Sequence, residues 1–476
     1  MNRSTVSDQT FGPARAAPHL GMTQAGGSGA KAAEVATAPL LLALFIFSIL
    51  PPIYFHLGET RLSPTRIVLL VLFLPLAFRL FSGTAGRLRA IDILLFLFSG
   101  WMVITILYSN GIARIPLAVS TLMEMLGGYL VGRTLVRNAT DYRIFLRHLV
   151  FILLVLLPFS VLEHFTNVNL LQKVFDPIFN VLQKPLSQSW RNGFSRVMSG
   201  FEHPILYGLF CAMTVAPIYY FYKDNPSRAI CYTAIAVAMT YMSLSSAPLI
   251  AVLICLLLIT WDHVTGSRWK LLVWIAVSLF VFLSVASNRG PLVIMIDYLT
   301  FNPHTAWTRI WTFNYGSIQV MEHPFFGMGV FEDWPRPRGL TPSVDNFWLL
   351  VAMRHGLVGF ILLALALVFG MRAVIRAKIS DRTLHAWRTG YVVALVGLYF
   401  SLATVHMWGD TSAFIMCFIG AGMWFCTAET SSTEVEALAP AEVRPISHTT
   451  TISSLGDFKR SLPTTRFARN HTRKRE

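Results

Sequence analysis

The chain has 476 residues, of which 54% are hydrophobic and only 13% charged, with a mean hydropathy of +0.56. A soluble chain of this size carries roughly a quarter charged residues, so the composition excludes an ordinary soluble domain and points to an integral membrane protein. The formal net charge is +15, and where the positive charges fall says more than their sum.

Residues 1–35 are Ala, Gly, Ser and Thr with scattered charges, and they lack an apolar core beside a cleavage site, so they read as a disordered cytoplasmic tail. A bilayer core takes about 20 apolar residues of helix, and about twelve such runs follow. They fall near Ala38–His56, Arg66–Phe81, Ile91–Tyr108, Pro116–Val136, Phe145–Glu163, Pro204–Tyr222, Arg228–Leu244, Pro248–Trp261, Leu271–Ala286, Phe347–Met371, Tyr391–Val405 and Ser412–Cys426. Lipid leaves no room for unpaired backbone groups, so the expected fold is all-α, a polytopic membrane helix bundle over 36–428. Residues 429–476, which close in RFARNHTRKRE, read as a disordered basic cytoplasmic tail.

Positive charge sets the orientation. With the amino end inside, the inner connections hold Arg79, Arg87 and Arg89, then Arg133, Arg137, Arg143 and Arg147, then Lys223 and Arg228, then Arg268 and Lys270. The short outer connections are poorer in Lys and Arg, as the positive-inside rule requires, and both termini come out cytoplasmic. Two longer connections then face outward, 165–203 and 287–346, the second lying between predicted helices nine and ten. The first carries apolar residues at helical spacing from Leu170 to Leu182, the pattern of an interfacial helix; the second opens with GPLVIMIDYL and has a helical stretch near Ala306–Met321. Both keep arginines on the side that usually excludes them: Arg191 and Arg196 in one, Arg289, Arg309, Arg336 and Arg338 in the other. Retained cations there point to an anionic ligand.

Within the spans, Glu124 is the main acidic residue, and it reads as a hydrogen-bonding group inside the bundle. The five cysteines lie in or beside apolar runs and read as small packing residues. No phosphate-cradling Gly loop, His/Glu zinc pattern or Gly-x-Ser-x-Gly elbow occurs, so neither a metal nor a nucleotide cofactor is expected.

Three linked patterns remain. SRVMSGFEHPILYG carries Arg196, Gly200, Glu202, His203 and Pro204 into the sixth span. TRIW and then EHPFFGMGVF carry Arg309, Trp311, Glu322, His323, Pro324, Gly327 and Gly329. DNFWLLVAMRHGLVG places the polar pair Asp345–Asn346 ahead of a Gly-x-x-Gly, Gly356 and Gly359. In this order, over roughly Ser195 to Phe360, the chain resembles the O-antigen ligase and polysaccharide polymerase family of bacterial inner membranes.

The resemblance implies a metal-independent glycosyltransferase that takes sugar chains from undecaprenyl pyrophosphate on the outer face of the inner membrane. Arg196 and Arg309 match the family's outer-loop arginines and are expected to bind the pyrophosphate, with Arg289 a third. The ligase branch has a His-Asn pair before the spacer; here Asp345 stands in place of that His, which favours a polymerase of lipid-linked repeat units over a ligase to lipid A core. Asp345 or His203 is then the expected base for an acceptor hydroxyl. Glu202, Trp311, Glu322 and Asn346 are candidate sugar contacts; His323 is a further one and also serves the turn before Gly327. The other tryptophans, Trp307, Trp334 and Trp348, are either sugar-stacking or interfacial. Membrane lipids, a chain-length regulator and other polysaccharide export proteins are the expected partners, and no nucleic acid. A twelve-helix transporter or flippase is the rival reading; it would show two-half symmetry and a charged central path, and neither is visible.

Overall fold

A computed structural model of the protein describes residues 26–428, apart from 58–59, 183–189, 192, 287–302 and 332. The chain divides after Ser431, and its second unit lies outside the described residues, as do Arg289 and GPLVIMIDYL.

The described chain is a helical bundle. Its α-helices are α1 (Gly26–Ser48), α2 (Pro64–Phe81), α3 (Ala90–Asn110), α4 (Ile115–Leu122), α5 (Gly128–Leu135), α6 (Ala139–Thr166), α7 (Leu170–Phe175) and α8 (Pro204–Phe221). They continue with α9 (Pro226–Met242), α10 (Ser246–Thr265), α11 (Trp269–Ala286), α12 (Pro303–Glu322), α13 (Phe347–Arg376), α14 (Arg382–Ser401) and α15 (Gly409–Ala421). Among the described residues, nine helical segments are long and apolar enough to cross a membrane, the composition of a multi-pass membrane protein. The other three expected spans are also helical: α1 runs to Ser48 and stops before a Pro51–Pro52 pair, α9 has 17 residues, and α14 opens with the polar Arg382, His385 and Arg388. At the other end, α1 begins inside the stretch read as a tail, where GAKAAEVATA is rich in good helix formers.

The interfacial helix expected over Leu170–Leu182 is one short helix, α7, and the chain then extends. Its Asn180–Val181 (β3) pairs antiparallel with Ile53–Leu57 (β1), which also pairs with Thr60–Leu62 (β2). Two further short strands, Trp190–Arg191 (β4) and Phe194–Ser195 (β5), form a separate antiparallel ribbon.

Close helix contacts rest on small residues. In α5, a Cβ at Gly132 would lie 1.9 Å from the Cys417 carbonyl oxygen, and one at Gly128 would lie 2.3 Å from that of Ala413. The four-residue spacing puts both on one face, so α5 and α15 meet backbone to backbone. On the cytoplasm-predicted side of the same bundle, Arg133 is buried against Asp92 (Nε–Oδ1 3.1 Å) and donates to the carbonyls of Ala85 and Arg87. Between α4 and α5 the ladder widens into a π-turn, Met123–Gly127, which carries Glu124. Such turns often mark functional positions.

The largest departure from regular helix is in α13. Gly356 has φ 68° and ψ −178°, so the helix breaks there. The break frees backbone groups, and the loop after α12 takes them up: Met328 N–H donates to Met353 O (2.7 Å), Gly329 N–H to Arg354 O (3.0 Å), and Leu357 N–H to Pro324 O (2.7 Å). A Cβ at Gly356 would lie 2.0 Å from Phe325 O, and one at Gly327 2.5 Å from the Arg354 carbonyl carbon. The Pro-x-x-Gly-x-Gly and Gly-x-x-Gly patterns are thus the two halves of one joint. Helix α3 backs it: Asn110 exchanges hydrogen bonds with the backbone of Val330, Trp101 Nε1 donates to His355 O (2.9 Å), and Phe326 stacks on Trp101 and Tyr108.

Replacing Gly356 with Ala is expected to cost at least about 2 kcal/mol, from the positive φ together with the clash. Gly100→Ala, at a helical position where an added Cβ meets nothing within 4 Å, is the control. Thermal melts of the detergent-solubilised proteins should show G356A melting well below both wild type and G100A; equal midpoints would refute the joint.

Candidate functional site

Three cavities with shared walls run from the loop around α12 into the bundle. The first, about 460 Å³ counting its open mouth, is lined by Thr308, Arg309, Thr312, Asp345 and Asn346 among others. The second, about 1060 Å³, shares Ser343 and Asp345 with it and adds His203, Arg354, His406 and Trp408. The third, about 760 Å³, shares Leu350, Arg354, His406 and Trp408 with the second and reaches Arg66 and Glu124 in the membrane-spanning helices.

Each polar wall residue is placed by its element. Helix α12 carries Arg309 on the turn facing the start of α13. Asn346 caps α13, its side chain accepting from Leu349 N–H (3.0 Å), so the preceding Asp345 is left facing the cavity. His203 caps α8, and its Nδ1 accepts from Ile205 N–H (3.0 Å). The neutral imidazole therefore holds its proton on Nε2. The loop after α14 is fixed to the start of α13 by Phe347 N–H, which donates to Leu402 O and Val405 O. That loop supplies His406 and Trp408, whose rings stack, while Phe347 also stacks on His406 and His203 meets Trp408 edge-on.

Burial tunes the charges. Asp345 is exposed toward the cavity, yet the protein around it partly desolvates its carboxyl and raises it above the ordinary range, and the positive charge of Arg309 pulls it back in part. Arg309 is held below the ordinary guanidinium value, first by burial and then by Arg191, with Asp345 opposing. Its Nε and Nη1 have no hydrogen-bond partner among the described residues. His203 is lowered to about 4 by burial and by the nearby Arg196 and Arg191. Glu202 is raised by burial, while Arg66, Arg61 and a hydrogen bond from Trp408 act against the rise. His406 is lowered to about 3 by burial and by Arg354.

Of the residues singled out from sequence, Arg309, Asp345, Asn346 and His203 line this set of cavities, and Glu202 stands behind Trp408. Arg196 is engaged elsewhere. It is buried, its Nη2 donates to Ser245 Oγ (2.9 Å) and its Nε to Ser243 O (3.4 Å), so it ties down the turn between α9 and α10. Arg191 donates to Leu244 O in the same turn, and its charge reaches Arg196, His203 and Arg309 alike. Arg191 and Arg196 thus hold the same turn, and the charge of Arg191 also reaches Arg309 on α12.

Glu322 accepts from Gln319 Nε2, His323 lies within 3.4 Å of Gln319 O, and Trp311 stacks on Tyr315; all three are exposed and none lines the cavities described. Trp334 is buried and donates to Pro342 O. Arg289 lies outside the described residues. Glu124 forms an ion pair with Arg66 (2.6 Å), the in-bundle partner expected for it.

Sequence reasoning missed Arg354, His406, Trp408 and Arg66. The signal for Arg354 was present: an arginine inside an apolar run, two residues before a glycine. Among the described residues no group of three or more His, Cys, Asp or Glu could hold a metal ion. Compared with known proteins, the chain matches no family model and no curated sequence.

Because His203 is harder to protonate in the fold than its ordinary 6.5, the unfolded chain binds more protons as pH falls below 6.5, and stability drops until the folded value near 4 is passed. His203→Asn keeps a capping side chain and removes that titration. Melting midpoints of H203N should fall less steeply between pH 6.5 and 4 than those of wild type; parallel slopes would refute the buried, cation-flanked histidine.

Proposed function

We propose that the protein is a membrane glycosyltransferase that polymerises polyprenyl-diphosphate-linked oligosaccharide repeat units into an exopolysaccharide or O-antigen chain, on the outer face of a bacterial inner membrane. The observation that carries this is the shared cavity of Arg309 and Asp345: a buried guanidinium with unused donors beside a carboxylate made more basic by burial.

In the reaction, the acceptor hydroxyl oxygen attacks the anomeric carbon of the donor sugar and gives its proton to the Asp345 carboxylate. The bond from that carbon to the phosphate oxygen breaks, and the diphosphate leaves with the electron pair. Charge grows on the departing oxygens, and a fixed guanidinium in a water-poor site stabilises it without reorganisation. Arg309 supplies that charge, and Arg191 adds to the positive field. Asn346, through its cap on α13, fixes the backbone that presents Asp345.

Removing one such charge-stabilising donor is expected to lower turnover by about 100-fold or more, so R309A in the source bacterium should abolish long surface polysaccharide and leave single repeats on the acceptor. Chain lengths like those of wild type would reject the assignment, and long chains stranded on the lipid carrier would show a ligase instead. For the purified protein, transfer should rise with pH through the raised Asp345 value and then level, because the base works when ionised. D345N should remove that limb along with most of the rate; an unchanged rate would exclude Asp345 as the base.

A further inference from the structure

The arginines inside the bundle fall into two kinds. Arg133 has Asp92 and two carbonyls, and Arg66 has Glu124 and the Arg61 carbonyl. Arg354 has no such set. Its Nε finds no hydrogen-bond partner and no carboxylate pairs with it among the described residues; the Phe331 ring lies 5.7 Å away, and the histidines its charge reaches, His355 and His406, are no counter-charge. A guanidinium stays protonated at any accessible pH, and burying one without a counter-charge is costly. The cost persists because the backbone holds Arg354 in place: its carbonyl and that of Met353 are taken by the Gly329 and Met328 amides at the break in α13.

Position gives the unmatched charge a ligand. Arg354 sits in the wall common to the second and third cavities. On one side lie Asp345 and His203. On the other is a slot between α3, the π-turn and α13 with an apolar side formed by Phe98, Met102, Leu117, Met125 and Val351, beside the Arg66–Glu124 pair. A group that satisfies both sides is an amphiphile with an anionic head and a hydrocarbon tail.

We infer that Arg354 is a second anion-binding residue, gripping the diphosphate of a prenyl carrier whose chain lies along the slot lined by Phe98, Met102 and Met125. The choice of a prenyl tail rests on the transfer reading above; the anion and the slot rest on the cavity alone. The diphosphate then spans from Arg354 toward Arg309, with the sugar beside Asp345.

Binding to the full-length protein in detergent micelles tests this without any transfer assay, using farnesyl diphosphate as probe and inorganic pyrophosphate, farnesol and phosphatidylglycerol as comparators. Farnesyl diphosphate should bind more tightly than all three. Loss of a charge-assisted contact predicts at least about tenfold weaker binding in R354Q, with R354K close to wild type. Met102→Trp, which fills the slot, should weaken farnesyl diphosphate and leave inorganic pyrophosphate unchanged. Wild-type affinity in a folded R354Q overturns the anion site, and pyrophosphate binding as tightly as farnesyl diphosphate overturns the slot. If R354Q fails to fold, R354K and M102W decide alone: loss in R354K or no loss in M102W overturns the proposal. Lost binding in R354Q together with unaffected polysaccharide in R309A would sink the transfer reading and leave this site standing; the reverse pair would remove only the site.

Discussion

The break in α13 at Gly356 is the constraint on which the rest of the structure depends. A helix that ran straight through would keep its carbonyls for itself and leave the loop after α12 with nothing to pair with. By opening at one glycine, α13 offers two carbonyls and one amide, and the Pro324–Gly329 segment matches them group for group. In lipid an unpaired backbone group costs several kcal/mol, so break and loop require each other. That mutual need holds a polar, aromatic segment against the bundle and fixes the turn of α13 that carries Arg354.

Around the joint, polar groups are sorted by whether their charges are answered. Asp92 with Arg133, and Glu124 with Arg66, are closed pairs inside the bundle, and Ser63 closes one oxygen of Asp410. Arg309, whose charge Asp345 answers only across the cavity, and Arg354 keep donors without a hydrogen-bond partner among the described residues, and both line the connected cavities. Structural guanidinium groups in the bundle have their donors engaged, by a carboxylate at Arg133 and Arg66 and by Ser243 and Ser245 at Arg196. Open ones at a cavity wall are the expected form of a site that receives its anion from outside.

The bundle was legible from apolar run length, since lipid permits few alternatives. Local chemistry sets helix ends that hydropathy leaves open: α1 stops before the Pro51–Pro52 pair, and polar residues open α14. Arg309, Asp345 and His203 could be found because they sit in polar loops where charge stands out. Arg196 looks equivalent in sequence, yet a turn more than forty residues away engages its donors, a tertiary contact that no spacing rule encodes. Arg354 was hidden for the opposite reason. It lies within an apolar run, and only the broken helix shows that its side chain serves a cavity.

The same geometry separates the two candidate bases. Near neutral pH both His203 and Asp345 stand below full protonation, since burial and nearby cations disfavour the imidazolium, and a carboxyl, even raised, ionises as pH climbs. Yet Nδ1 of His203 is already taken by the Ile205 amide, so the neutral ring turns an N–H toward the cavity and has no lone pair left to accept a proton there. His203 is thereby a donor, suited to a sugar or phosphate oxygen. Asp345 has no such prior engagement and lies beside the guanidinium that would hold the leaving group. Within the proposed transfer reaction, Asp345 rather than His203 is therefore the group placed to take the proton.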